Sequence, residues 1–169
     1  MSVIANTTVI SNFASIGQLD VLRRLFGTVY ISTEVHQEIL AGLHEGYRFY
    51  QDIDWHIYPL SAEGWLRLTS LNEEEIGILS TLPANLHEGE ASCIAIARNR
   101  GWWFLSDDLA ARTMALKYTI HLSGSVGCLV MIVEKSIASL NQANGLLQEM
   151  IRQGYCSPVS DITPLLRQR

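Results

Sequence analysis

Carboxylate side chains occupy unusual positions in two predicted helices and at one predicted strand end. Glu38 lies three residues beyond Val35, at the border of an apolar helix face, and Glu90 lies one turn before the apolar positions of another helix. Asp107 and Asp108 follow a short apolar run. A carboxylate at the edge of a core face needs a partner, because burying an unpaired charge is costly. Mg²⁺ or Mn²⁺ would suit them, since hard cations prefer oxygen ligands.

A divalent metal site built from separate segments is suited to phosphoryl chemistry. One or two ions can activate a water and stabilise the oxyanions of an in-line displacement at phosphorus. Ser123-Gly124-Ser125 precedes a predicted helix, so its backbone N–H groups could hold a phosphate oxygen.

Each acidic residue also has a purely structural explanation. Glu90 and Glu88 could complement a helix dipole, Asp107 or Asp108 could cap a helix, and Glu38 could be an exposed helix residue. The occurrence of acidic residues on three separate segments favours a site over these single explanations.

The pattern along the chain predicts a parallel sheet covered by helices, because short apolar runs alternate with helical periodicity. Strands are expected at residues 2–5, 28–31, 102–105 and 119–122. Helices are expected at residues 19–26, 34–41, 73–80, 88–98, 108–116, 126–135 and 140–152. Residues 45–71 are interpreted as a loop with an added strand, and the segment from Tyr155 as a strand with a final helical turn.

Three of the expected strands end in polar residues. These exits are Asn6-Thr7-Thr8, Ser106-Asp107-Asp108 and Ser123-Gly124-Ser125. In a parallel sheet all of them emerge at the same edge, where folds of this kind bind their ligands. The topology therefore predicts that the polar exits and the carboxylates converge.

Composition indicates an ordinary folded chain and excludes several classes. The chain has 169 residues, 48% of them hydrophobic, which suits one domain spanning residues 1–169. Its longest apolar run, Gly127 to Val133, is far shorter than the ~20 residues of a membrane span. The N-terminus has no signal-peptide pattern, so a cytoplasmic location is expected. Three widely spaced cysteines favour buried or half-buried thiols over disulfides or a zinc site.

The net charge of −5 argues against a protein whose whole surface grips nucleic acid. Any such contact is expected to be local. The cations that could form a patch, or simply lie on solvated helix faces, are Arg98, Arg100, Arg112 and Lys117.

Five blocks of the sequence together resemble PIN-domain proteins, and they occur in the family's order from residue 2 to about 155. The blocks are Val-Ile-Ala-Asn-Thr-Thr-Val-Ile-Ser-Asn (3–12), Val-His-Gln-Glu-Ile (35–39), Gly-Glu-Ala (89–91), Leu-Ser-Asp-Asp-Leu-Ala-Ala-Arg (105–112) and Ser-Gly-Ser-Val-Gly (123–127). The Gly-Glu-Ala motif is similar to that of a toxin-like branch. The blocks define a domain core of about residues 2–155, and residues 156–169 are then a C-terminal tail.

The resemblance implies a three-layer α/β/α sandwich with a central parallel sheet and a Mg²⁺- or Mn²⁺-dependent ribonuclease activity. Many members are toxins of toxin–antitoxin pairs and form dimers. The partners implied are therefore RNA, more specifically single-stranded RNA, an antitoxin protein and a second copy of the chain, with no membrane.

The resemblance also assigns roles by position. The acidic metal ligands would be Glu38, Glu90 and Asp108, with Asp107 as an adjacent acid whose role is not separable from that of Asp108. Supporting polar positions around the first strand exit and the metal would be Thr7, Thr8, Asn12 and Ser125.

Asn6 departs from the family pattern, which has aspartate as a principal metal ligand after the first strand. An amide oxygen can still bind a cation, but without the charge. Two unit charges ~4 Å apart interact by about 4 kcal/mol at an effective dielectric constant of ~20, so metal binding should be weaker. Asn6 is either the natural residue or an introduced replacement of aspartate. In both cases the protein has two possible interpretations. One is a nuclease with reduced activity, and the other a catalytically silent RNA- or protein-binding module. A phosphatase or receiver domain fits less well, since the first exit offers no nucleophilic aspartate.

Aromatic residues are concentrated in the irregular middle of the sequence. They either form a dimer interface, where aromatics are enriched, or pack on the domain's own core. These residues are Tyr47, Phe49, Tyr50, Trp55 and Trp65.

Overall fold

The computed structural model describes residues 1–166 and contains one six-stranded sheet in which every pairing is parallel. Its strands are β1 (Val3–Ala5), β2 (Val29–Ser32), β3 (Ile57–Tyr58), β4 (Leu66–Thr69), β5 (Trp103–Leu105) and β6 (Leu122–Ser123). Their order across the sheet is β3-β4-β2-β1-β5-β6. The two central strands, β1 and β2, therefore precede the strands that flank them.

Helices cover the sheet. They are α1 (Thr7–Ser15), α2 (Asp20–Phe26), α3 (Thr33–His44), α4 (Glu73–Leu79), α5 (Glu88–Arg100), α6 (Leu109–Lys117), α7 (Ser125–Glu134), α8 (Leu140–Arg152) and α9 (Thr163–Leu166), with 3₁₀ helices at Arg48–Tyr50 and Ile53–His56. Helix α5 contacts α3, α4 and α6, whereas α7 contacts α1, α2 and α8. The predicted three-layer α/β/α fold is confirmed. Within residues 1–166, no helix has the length and apolar character needed to cross a membrane.

The core explains why these segments fold as they do. Strand β1 is wholly buried, as expected of a short apolar run in the middle of a parallel sheet. Helix α5 was expected to bury one face, formed by Cys93, Ile94 and Ala97. Instead it is buried from Gly89 to Ala97, because it lies against the sheet and contacts three other helices. Its small residues allow this close approach on several sides.

Three predictions about the elements are wrong. The strand expected at residues 119–122 is only Leu122–Ser123, because Thr119 has a positive φ of 55° and reverses the chain after α6. Residues 45–71 form two strands, β3 and β4, and two 3₁₀ helices, where a loop with one strand was expected. The two short strands extend this edge of the sheet, because β4 pairs with β2 and β3 pairs with β4. The segment from Tyr155 forms no strand within the described residues, although its expected final helical turn is present as α9 (Thr163–Leu166). Its last positions, 167–169, lie outside the described residues.

The cysteines differ from the expectation at one position. Cys93 and Cys128 are buried, but Cys156 is exposed because it follows the last turn after α8 and lies outside the core. All three are free thiols.

Candidate active site

The polar exits of β1, β5 and β6 meet at one edge of the sheet. The Asn6 N–H donates to the Leu105 carbonyl oxygen at 3.0 Å, and the Asp107 N–H donates to Thr8 Oγ1 at 3.0 Å. The Ser125 N–H donates to Asp107 Oδ1 at 2.9 Å. The first two hydrogen bonds join segments that are far apart in the chain, and the third joins the exit of β5 to the start of α7, 18 residues further on.

Asn6 lies at the centre of this junction and is only 1% exposed. Its Nδ2 donates to Ser106 Oγ at 2.8 Å, and its Oδ1 accepts from the Thr8 hydroxyl at 2.7 Å. Those two hydroxyl oxygens in turn accept from the N–H groups of Asp108 and Asp107. The amide therefore holds the turn that carries both aspartates, and an aspartate side chain could not make the donation to Ser106.

Glu38 reaches the same edge from α3, whose N-terminus is capped by the Ser32 side chain. Its carboxylate accepts from the Thr7 hydroxyl and from the Gly89 N–H, the latter at 2.8 Å. A Cβ atom on Gly89 would lie 2.5 Å from Glu38 Oε2. The glycine of the Gly-Glu-Ala motif is therefore needed for the carboxylate to approach α5 this closely.

Glu90 lies in the first turn of α5 and is 6% exposed. Its Oε2 accepts from the His87 N–H at 3.1 Å. Burial raises the pKa of Glu90, and the charges of Asp108 and Glu38 raise it further, although the hydrogen bond from His87 opposes them. The charges of these three carboxylates thus act on one another at this edge of the sheet.

Asp107 and Asp108 have different surroundings. Asp108 caps α6 through one oxygen, since Oδ1 accepts from the Ala111 N–H at 2.8 Å. Asp107 has both oxygens engaged. Its donors are the Ser125 N–H (2.9 Å), the Ser125 hydroxyl (2.5 Å), Asn12 Nδ2 (2.9 Å) and the Tyr155 hydroxyl (3.1 Å). Asp107 is a structural junction, whereas Asp108 keeps an oxygen for a ligand.

Comparison with known families agrees with this architecture. The family model DUF3368, described as a PIN domain, matches residues 2–168. The chain belongs to the PIN-domain family. Among curated proteins, no significant match was found. The resemblance of the five sequence blocks is therefore correct at the level of the family, and a nuclease is the function class that it suggests.

The ligand atoms at this edge of the PIN domain are of the kind that a hard cation binds, but they do not surround one on all sides. They are carboxylate, hydroxyl and amide oxygens, which Mg²⁺ and Mn²⁺ prefer. Within residues 1–166, however, no three His, Cys, Asp or Glu side chains are gathered tightly enough to hold a metal ion. Such an arrangement fits an ion that keeps several of its waters, as Mg²⁺ usually does.

Arg112 and Tyr155 were not assigned to the site of this PIN domain by sequence reasoning. Arg112 Nη1 donates to the carbonyl oxygens of Ser106 (2.8 Å) and Ser123 (3.2 Å), so it ties the β5 and β6 exits together. Tyr155 arrives from beyond α8, and its sequence position offers no signal for this role. Arg112 is the last residue of the block 105–112, which resembles the family, and this position was the one signal in the sequence that could have assigned it to the site.

Two of the other proposed patch cations have separate structural partners. Arg100 forms an ion pair with Glu75 at 2.6 Å, and the Arg98 guanidinium lies 4.1 Å from the centre of the Tyr118 ring. These contacts favour structural roles between α5 and its neighbouring helices over a shared basic patch.

Proposed function

We propose that this PIN domain is a Mg²⁺- or Mn²⁺-dependent endoribonuclease that acts on single-stranded RNA. The observation that supports it most is the convergence of Glu38, Glu90 and Asp108 from three helices at one sheet edge. Burial, and then the charges of Asp108 and Glu38, raise the pKa of Glu90, and a bound cation would stabilise its ionised form. Oxygen ligands at this edge match the family's suggested nuclease class.

Each residue has a distinct part in this proposal. Glu90 Oε1 and Asp108 Oδ2, which have no hydrogen-bond partner among residues 1–166, would bind the ion directly or through its waters. Glu38 would bind it while held by Thr7 and Gly89. Asn6 would offer the second lone pair of Oδ1 as a neutral ligand. When bound, the ion supplies a Lewis acid for the phosphodiester and lowers the pKa of an attacking water.

The first test compares RNA cleavage by the native protein and by Glu90→Gln, with Mg²⁺ or Mn²⁺. We expect the substitution to lower the rate by at least about 100-fold, more than the loss of a supporting residue usually costs. Glu88→Gln is the matched control, since Glu88 is exposed in the same helical turn. Absence of cleavage by the native protein with either metal, on every RNA tried, contradicts the proposal.

Asn6→Asp tests the contribution of the missing charge. We expect it to tighten Mn²⁺ binding, measured by calorimetry, because it adds a carboxylate at the buried exit of β1. The Ser106 hydroxyl can donate to the new carboxylate in place of the lost amide donation, but an added buried charge without a cation is costly, so the melting temperature without metal should fall. Asn141→Asp, which adds the same charge in the exposed first turn of α8, should leave metal affinity unchanged and should not lower the melting temperature. Unchanged metal affinity in Asn6→Asp shows that position 6 contributes no ligand.

A catalytically silent RNA- or protein-binding module is the second candidate function. The observation that favours it is Asn6, which carries no charge and whose amide already holds Thr8 and Ser106. This alternative predicts that Glu90→Gln leaves RNA or partner binding intact and that neither protein cleaves RNA. Binding measured by fluorescence anisotropy alongside cleavage separates the two candidates.

We also propose a toxin-like role with an antitoxin partner, supported by the Gly89-Glu90-Ala91 motif. Growth arrest on expression, relieved by Glu90→Gln, would be the expected behaviour.

A homodimer is supported by the exposure of Tyr47, Phe49 and Trp55, whereas Tyr50 and Trp65 are buried in the domain's own core. Light scattering after gel filtration would measure the mass, and a monomer at all concentrations contradicts the dimer.

A further inference from the structure

A cavity of about 510 Å³ lies beside the acidic edge, and the proposed metal chemistry does not use it. Its volume is within the range of small-molecule sites in proteins. Asp107 lines it, and the next residue, Asp108, belongs to the carboxylate set, with its Cα about 3.8 Å further along the chain. A group bound in the cavity would therefore lie next to the proposed site of cleavage.

Part of the cavity wall is apolar. Leu109, Val126 and Pro158 line it, together with Tyr155. Leu109 is 78% exposed at the start of α6, so it contributes little to the core. Flat bases of single-stranded RNA are commonly held by stacking on aromatic and apolar side chains. This part of the wall thus suits the flat face of a nucleobase.

Arg112 brings a guanidinium group to the wall of this cavity. Nη1 is occupied by the carbonyl oxygens of Ser106 and Ser123, which fixes the plane of the guanidinium. Among residues 1–166, its Nε and Nη2 atoms have no hydrogen-bond partner, so two parallel donors remain. Two parallel donors match the adjacent O6 and N7 acceptors of guanine, whereas adenine places an amino group beside N7.

Opposite charges lie in the wall of the cavity, the Asp107 carboxylate and the Arg112 guanidinium. After burial, the negative charge of Asp107 is a further cause of the raised pKa of Tyr155. A phosphate group would be repelled by Asp107 and attracted by Arg112, whereas a neutral base would meet the guanidinium without that repulsion. Inorganic phosphate is therefore the competing ligand that the experiment must include.

We propose that this cavity binds the guanine base of a nucleotide in RNA, with Arg112 donating to O6 and N7. The placement of that nucleotide beside the cleaved bond rests on the proposed function, but recognition of the base does not. Arg112 would thus determine which nucleotide is bound next to the carboxylates.

Cys156 allows a direct test on the native protein. It lines the cavity and is exposed, whereas the other two cysteines are buried. Its alkylation by iodoacetamide would be followed by mass spectrometry without metal. Guanosine 5′-monophosphate at ten times its Kd should slow the reaction by about tenfold. Adenosine 5′-monophosphate and inorganic phosphate at the same concentration should leave it nearly unchanged.

Variants separate the roles of shape and charge. Val126→Phe, which fills the cavity but keeps Arg112, and Arg112→Gln should both lose the protection. Lys117→Gln removes a cation from the same helix and should keep it. Melting curves establish that the variants are folded, because Arg112 also joins β5 to β6.

No protection by guanosine 5′-monophosphate in the native protein overturns the proposal, as does equal protection by the adenine nucleotide or by phosphate alone. Since the assay needs neither metal nor cleavage, protection would stand even if the chain cleaves no RNA. Conversely, RNA cleavage without protection would contradict the base site alone.

Discussion

At the scale of single residues, the Glu38 carboxylate is positioned by the lack of a side chain at Gly89. An added Cβ would meet the end of the Glu38 side chain, 2.5 Å from Oε2. Because that end is flexible, the carboxylate should move while the fold persists. We expect Gly89→Ala to change the melting temperature by less than about 4 °C and to weaken metal binding or cleavage by on the order of 10–100-fold.

Gly145→Ala is the control for this prediction, since an added Cβ in α8 meets no atom within 4 Å. It should leave metal binding and cleavage unchanged. If both glycine variants behave alike, Gly89 has no special part in positioning Glu38.

Glu90 should make the fold less stable as pH rises. Burial, then the charges of Asp108 and Glu38, raise its pKa above the ordinary value of 4.5. The folded protein therefore holds this proton to higher pH than the unfolded chain does. The free energy of unfolding therefore falls as pH rises from about 4.5, the ordinary pKa of a glutamate, to the raised pKa of Glu90 in the folded state. Above that pKa, Glu90 causes no further loss.

Glu90→Gln removes this titration, so it should be more stable than the native protein at neutral pH in the presence of a chelator. Urea unfolding from pH 4 to 8 would measure the difference, which should grow with pH. Glu88→Gln, at an exposed position, should show no such trend. A Glu90→Gln variant that is less stable than the native protein at pH 7 contradicts the expectation.

At the scale of elements, a buried carboxylate joins α4 to α5, the helix that carries Glu90. Glu75 is fully buried and accepts from Arg100 Nε at 2.6 Å and Nη2 at 2.8 Å. Burial alone would raise the pKa of Glu75, but hydrogen bonds from Arg100, the Asn72 N–H and Asn99 outweigh it and hold the pKa below its usual value. Arg100 also reaches the end of β4, so the position of α5 depends on this pair.

Arg100→Met should leave Glu75 buried without its cation and lower the free energy of unfolding by about 3 kcal/mol. Urea unfolding would measure the loss. Arg98→Met is the matched control on α5, because its guanidinium only lies over the Tyr118 ring and should contribute about 1 kcal/mol or less. Equal losses in the two variants would contradict a special role for the buried pair.

At the scale of the whole molecule, charge and topology together favour one edge for the proposed contact with RNA. The chain has 17 acidic and 12 basic residues, giving a net charge of −5. Arg100 is committed to an ion pair within the fold, and Arg112 lies at the cavity beside the carboxylates. An RNA strand is therefore expected to contact the carboxyl ends of β1, β5 and β6 and little of the remaining surface.

The architecture was largely readable in the sequence, for local reasons. Short apolar runs buried on both faces indicate parallel strands, and Val3–Ala5 is fully buried as that pattern predicts. Parallel strands then bring their polar exits to one edge, whatever the details of packing. The failures are also local: two-residue strands such as Ile57–Tyr58 are too short for a pattern to mark.

The sequence by itself determined the fold class, the order of the blocks and the set of acidic residues around the sheet edge. Only the tertiary structure decided which carboxylates keep free oxygens. Asp107 and Asp108 are neighbours in the chain, yet the partners of Asp107 include Ser125 and Tyr155, 18 and 48 residues away, and Asn12, 95 residues away. Hydrogen-bond donors at such separations are brought together by packing, and no local pattern of residues records where they will meet.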